Sequence, residues 1–189
     1  MKKIIAFFSV LMLTGCFAAT QNSTFYILES ENSNETIVRK KINIAVQDII
    51  MPDYLQRPQI VLQAQDSPQL KISEFHRWGG NLGQMMQNVL IDDLQKMMPD
   101  AFVKPLLYWQ KAQYIVEVNV DKLSGYFNEN AVLSGNYKIL SSDGRIATQE
   151  NFNLTASAGK DYASYVKGQS RLLADLASKI ALKIQTLNK

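Results

Sequence analysis

Apolar and polar positions change their period several times along this chain, and each change marks an element. Thr24-Phe25-Tyr26-Ile27-Leu28 reads as a first strand, and residues 29–36, rich in Glu, Ser and Asn, read as an exposed loop. Ile42, Ile44 and Val46 alternate with Asn43, Ala45 and Gln47, the period of two that a half-buried strand requires. After Pro58 a second such strand has Ile60, Leu62 and Ala64 on one face and Gln59, Gln63 and Gln65 on the other. Leu70-Lys71-Ile72 predicts a short edge strand.

The period then lengthens. Leu82, Met85, Met86, Val89, Leu90, Leu94 and Met97 recur at the spacing of one helix face, with Asp92, Asp93, Gln95 and Lys96 largely opposite, and Pro99 ends the run. Tyr114, Val116, Val118 and Val120 return to alternation, as do Leu133, Gly135, Tyr137 and Ile139. Between them Gly125 to Asn130 offers a turn, and Asp143-Gly144 gives a hairpin signal. The strand that returns carries a mixed inward set of Ile146, Thr148, Glu150, Phe152, Leu154 and Ala156. Asp161 is placed to cap a last helix whose stripe runs from Tyr162 through Leu172, Leu176 and Ile180 to Leu187. The expected fold is α+β, a mixed and largely antiparallel sheet covered by two helices at about residues 80–98 and 162–187.

One apolar run fits no element of that domain. Met1-Lys2-Lys3 precedes an apolar stretch of about ten residues, which is the layout of a secretory signal, and it falls well short of the ~20 residues that span a bilayer. Leu13-Thr14-Gly15-Cys16 follows, and Cys16 is the only cysteine. This tetrapeptide resembles the lipobox of bacterial lipoproteins, in which the cysteine becomes the acylated N-terminus. The expected layout is a signal peptide over residues 1–15, a lipidated tether over 16–23 and a single domain over 24–189. Phe17 stands where aspartate serves as the inner-membrane retention signal of enterobacterial lipoproteins, so that resemblance favours the periplasmic face of the outer membrane.

Loss of residues 1–15 removes Lys2 and Lys3 and leaves 18 basic against 17 acidic residues. A near-neutral chain gives no electrostatic support for nucleic-acid binding, which needs a concentrated basic face. Arg39-Lys40-Lys41 is read as the solvated start of a strand, with contact to anionic lipid heads as the weaker alternative.

Groups that could carry chemistry are few. His76 is the only histidine, no Cys or His pair has zinc-ligand spacing, and no serine sits in a Gly-x-Ser-x-Gly turn. His76 is expected to be a partly exposed loop residue. Asp92-Asp93, adjacent on a helix, point about 100° apart and are expected to face solvent. Gly79, Gly80 and Gly83 do not complete a phosphate cradle. No catalytic residue, metal ligand or cofactor site is assigned, and the chain is read as a non-enzyme. Met85, Met86, Met97 and Met98 fill a core or form an adaptable surface, with Met98 the member expected to be exposed.

Two passages go beyond a generic α+β pattern: Met51-Pro52-Asp53-Tyr54-Leu55-Gln56-Arg57-Pro58-Gln59-Ile60-Val61 and Glu74-Phe75-His76-Arg77-Trp78. They resemble the signature segments of the PqiC/YmbA family of auxiliary lipoproteins of ABC-type and MCE-type lipid transport systems. The departures are Gln56, where an acidic residue is common, and the glycines of Gly79-Gly80-Asn81. Tyr54 and Leu55 are expected to anchor in the core a turn bracketed by Pro52 and Pro58, leaving Arg57 to bond carbonyls or a carboxylate beside the next strand. Alternatively Tyr54, Arg57, Arg77 and Trp78 form a partner-binding surface, since Arg, Trp and Tyr dominate interface hot spots.

The resemblance implies a docking role toward an MCE-type (PqiB-like) transport protein, anchored in the inner membrane and spanning the periplasm, which would carry phospholipid. A homo-oligomeric ring around such a partner follows by family analogy, with no heptad pattern to fix it. The competing reading is a periplasmic lipid carrier with its own apolar pocket.

Overall fold

Strong alternation over three long segments builds the larger part of the molecule. In the computed structural model, which describes residues 21–31, 39–108 and 111–187, the elements run β1 (Thr24–Tyr26), β2 (Asn43–Val46), β3 (Gln59–Leu62), β4 (Lys71–Trp78) and α1 (Leu82–Met97). They continue with β5 (Phe102–Pro105), β6 (Tyr114–Ser124), β7 (Asn130–Ser141), β8 (Ile146–Ser157) and α2 (Tyr162–Leu187). The segment read as a signal peptide, and Cys16 with it, lies outside the described residues.

The strands form two sheets rather than the single one expected. The larger has the order β5-β2-β6-β7-β8 and the smaller β1-β4-β3. β6, β7 and β8 make an antiparallel meander, while β2 joins β6 and β5 in parallel. The sheets meet where the Gln63 N–H donates to the Gly125 carbonyl at 2.9 Å. Gly135 allows a close crossing within the meander, since a Cβ there would stand 2.0 Å from the Asn119 carbonyl oxygen of β6.

The alternating residues do what their period implies. Val116, Val118 and Val120 of β6 and Leu133, Tyr137 and Ile139 of β7 are buried against Leu172, Leu176 and Ile180 of α2 and Leu90 and Leu94 of α1. Each such side chain contributes ~1.5–3 kcal/mol by leaving water. The doubtful facing of β8 is resolved by Phe152 and Leu154, which point inward. Glu150 shares their side without being stranded, because the Tyr137 hydroxyl donates to it at 2.9 Å and Lys183 of α2 pairs with it. Asn81 caps α1, accepting from the Gln84 N–H at 3.0 Å, and Asp161 caps α2, accepting from the Ser164 N–H at 2.8 Å.

Four expectations need correction. Leu70 to Ile72 is not a short edge strand: β4 runs on to Trp78 and lies between β1 and β3. A bulge hides its later half from a period-two reading, and the Ser73 hydroxyl accepts the His76 N–H at 3.0 Å within it. His76 is therefore a strand residue, half-buried, and not in a loop. Met98 is fully buried, because the chain turns inward at the end of α1 with the Met98 N–H still bonded to the Leu94 carbonyl. Asp93 is also fully buried, under the segment that follows β1. β5, four residues ending in proline, was not foreseen.

Candidate docking surface

The two sequence motifs become neighbours because β3 and β4 pair antiparallel, with Gln59 opposite Arg77. The Trp78 N–H donates to the Pro58 carbonyl at 2.7 Å, which ties the motifs together. On the other side of β4, Phe25 stands opposite Arg77 and Tyr26 opposite Trp78. Side chains in register share a face, so Phe25, Gln59 and Arg77 lie on one side of the small sheet and Tyr26 and Trp78 on the other. Trp78 is 5% exposed and Phe25 64% exposed, which sets the inner and outer faces.

The first motif reaches β3 through a tight 3-10 turn, Asp53–Leu55. The Leu55 and Gln56 amides donate to the Pro52 and Asp53 carbonyls at 3.0 Å each, and the Gln56 side chain donates to the Met51 carbonyl at 3.0 Å. Leu55 is buried. Tyr54 packs half-buried against the core beside the Leu123 backbone, and burial raises its hydroxyl pKa. Tyr54 and Trp78 therefore support the surface from beneath.

Arg57 and Arg77 remain on the outer side. Arg57 precedes Gln59 by two residues and so stands diagonally across the strand pair from Arg77. The Nε of each is shielded from solvent and donates to no acceptor, and among the described residues neither guanidinium has a carboxylate partner. A guanidinium without a carboxylate partner is a group that carboxylates or carbonyls satisfy.

A groove of about 600 Å³ opens beside Arg57, between Ile50 and Met51 on one wall and Asn81 and Leu82 on the other. A second recess of about 530 Å³ shares Ile49, Asn81 and Gly83 and continues toward Leu107 and Tyr108. Ile50, Leu107 and Tyr108 are exposed. The wall between is stiff, because the buried Gln87 side chain donates to the Val46 carbonyl at 3.1 Å and to Asp48 at 3.2 Å.

His76 is engaged elsewhere. Its Nδ1 lies 2.8 Å from the Tyr26 hydroxyl, and its ring stacks on Tyr162 with centroids 3.8 Å apart and planes 13° from parallel. Phe127 meets Tyr162 edge-on at 4.9 Å. This aromatic cluster joins β1, β4, the β6–β7 turn and α2. Sequence reasoning missed it, since its members belong to separate elements far apart in the chain and no spacing rule brings them together.

Comparison with known proteins places the chain in a family. Residues 26–181 match the model of the ABC-type transport auxiliary lipoprotein component, and the chain belongs to that family. This agrees with the PqiC/YmbA resemblance of the two motifs, and the family is one of transport components rather than of enzymes. Two solved structures share the fold. One, an uncharacterized protein, is 24% identical with a TM-score of 0.73, covering 87% of this chain and 99% of its own. Protein XCC0632 from Xanthomonas campestris, of the DUF330 family, is 15% identical with a TM-score of 0.69, covering 88% and 97%. No curated protein matches the chain in direct sequence comparison.

Proposed function

We propose that this protein is a lipoprotein of the outer membrane that docks and positions an MCE-type transport protein anchored in the inner membrane, supporting phospholipid movement between the two. The observation that carries the reading is a pair of arginines without a carboxylate partner among the described residues, Arg57 beside an open groove and Arg77 on the same outer side of the small sheet, in an auxiliary lipoprotein of a transport system. Such a pair suits carboxylates or helix-end carbonyls of a partner. The apolar rim formed by Ile50, Leu107 and Tyr108 supplies area that gains from burial on association.

The lipidated Cys16 holds this surface at the membrane, and the partner brings the channel. A carrier role has less support, because Met86, Met97 and Met98, which motivated it, are packed into the core. Co-purification under mild detergent tests the docking reading. The mature lipoprotein is expected to retain an MCE-type protein from its own envelope, and a clean failure to do so contradicts the proposal.

A further inference from the structure

One end of the domain gathers apolar and aromatic side chains that the docking surface does not use. The Gln63 side chain donates to the Ser67 carbonyl at 2.9 Å, and the Gln65 N–H donates to Glu129 at 2.9 Å, which brings the β3–β4 connection against the β6–β7 turn. There Lys71 Nζ donates to the Tyr126 hydroxyl at 3.2 Å and lies 5.6 Å from the centre of its ring. Leu70 and Ile72, at 39% and 47% exposed, flank Lys71. A recess of about 360 Å³ sits between Leu62, Leu70, Lys71 and Tyr126. Phe127, in ring contact with Tyr126 at 5.6 Å, carries the aromatic surface toward Tyr162.

The route of the chain says which way this end faces. β1 runs parallel to β4 with Thr24 opposite His76, so the segment before Thr24 enters from the side where β4 begins, at Lys71. Cys16 precedes Thr24 by eight residues, a reach of at most ~29 Å when fully extended. An anchor at Cys16 therefore leaves the domain on the side of this end and lies within reach of it.

The chemistry of the end agrees with that placement. In the segments that form this end, Asp66, Glu129 and Asp161 outnumber Lys71 and Lys160, so there is no excess of positive charge to draw in anionic lipid. What the end does present is tyrosine and phenylalanine rings, two exposed aliphatic side chains and a lysine with its stem along an aromatic ring. These side chains place an apolar body and a polar tip at a membrane–water boundary.

We propose that this tip rests on the lipid surface that holds the anchor, with Leu70, Ile72 and Tyr126 at the headgroup boundary and the recess beside Lys71 occupied by a phospholipid headgroup. The proposal rests on the reading of Cys16 as the lipid anchor. The Ser141–Gly144 hairpin lies at the far end of β7, ~40 Å away for a twelve-residue strand, and supplies an internal control.

The experiment uses the mature lipidated chain carrying either Leu70→Cys or Ser142→Cys, both at exposed positions, labelled with an environment-sensitive fluorophore. Each is reconstituted into vesicles of phosphatidylethanolamine with a minor share of phosphatidylglycerol, with and without quencher-bearing acyl chains. The position-70 probe is expected to shift to the blue and lose most of its emission to the lipid quencher, whereas the position-142 probe does neither. Both results persist at high salt, because the contact is apolar. Equal behaviour at the two positions overturns the tip contact alone. A blue shift at position 70 without lipid quenching overturns it in favour of a covering protein. Protein that fails to float with the vesicles overturns the anchor, and the contact with it.

Discussion

The Ser30 hydroxyl donates a hydrogen bond to Asp93 Oδ1 and thereby clamps the segment after β1 across the middle of α1. Asp93 has no exposed surface, and its Oδ2 accepts no hydrogen bond. Lys96 Nζ binds the Ser30 and Glu31 carbonyls at 3.4 and 3.2 Å, alongside the clamp. Desolvation pushes the Asp93 pKa up to about 6 from 3.8, against the lowering effects of Ser30 and Lys96.

A raised carboxyl pKa has a definite sign in stability. The folded chain holds this proton more tightly than the unfolded one. The contribution of Asp93 is therefore most favourable below pH 4, declines as pH rises to about 6 and stays at its least favourable above that. A shift of about two units corresponds to about 3 kcal/mol. Glu150, its pKa lowered by Lys183 and Tyr137, acts in the opposite direction, so the wild-type profile alone does not isolate Asp93. In denaturant titrations from pH 4 to 7.5, wild type is expected to lose about 2.4 kcal/mol relative to Asp93→Asn. Parallel profiles would rule out the raised pKa.

Gly135→Ala puts a methyl group 2.0 Å from the Asn119 carbonyl oxygen, where only backbone can yield. The expected loss is about 3 kcal/mol, read as a lower denaturation midpoint. Gly80→Ala meets nothing within 4 Å and leaves that midpoint within about 1 kcal/mol of wild type. A similar effect of the two substitutions would contradict the close strand crossing.

Arg57→Ala and Arg77→Ala remove no ion pair, so their thermal midpoints are expected to stay close to wild type. Capture of the MCE-type partner should weaken by about 2 kcal/mol for each, the size of an interface hot spot. Trp78→Ala, by contrast, empties a buried site and should destabilise the fold by about 3–5 kcal/mol. Arginine variants with unaltered partner capture would move the docking surface elsewhere.

Cys16→Ala is expected to leave the circular dichroism and melting curve unchanged, to release the protein into the soluble periplasmic fraction and to abolish function. A fully active soluble form contradicts the docking role and favours a carrier.

The parts of the fold visible in the sequence are those whose periodicity is local. The alternation of β6 and β7, the Asp143-Gly144 hairpin, the Asp161 cap and both helix stripes are each set within about a dozen residues, and the structure reproduces them. The misses share one cause, a partner distant in the chain. Asp93 has an unremarkable helical position and is buried only because Ser30 closes over it. β4 loses its alternation at the Ser73–His76 bulge, and β5 becomes a strand only by pairing with β2.

The candidate site divides the same way. Tyr54, Arg57, Arg77 and Trp78 stood out as residues, but the Gln59–Arg77 register that makes them adjacent did not. The turn reading set Tyr54 inward, but nothing in the sequence separated Trp78, which faces in, from Arg77, which faces out. The groove beside Arg57 arises from Ile50, Met51 and the start of α1 meeting in space, which no spacing rule anticipates.

β4 also sets a height. It begins at Lys71 in the aromatic tip and reaches Arg77 six residues later, but the bulge shortens the climb: Lys71 lies opposite Leu62 and Arg77 opposite Gln59, three residues along β3 and so a rise of ~10 Å. With the tip on the bilayer, the arginine pair stands at that fixed elevation whatever the length of the tether behind it. A transport partner that engages the pair would bring its own end to within about 10 Å of the lipid surface, so the paired strands act as a gauge of how closely a channel mouth approaches the membrane it serves.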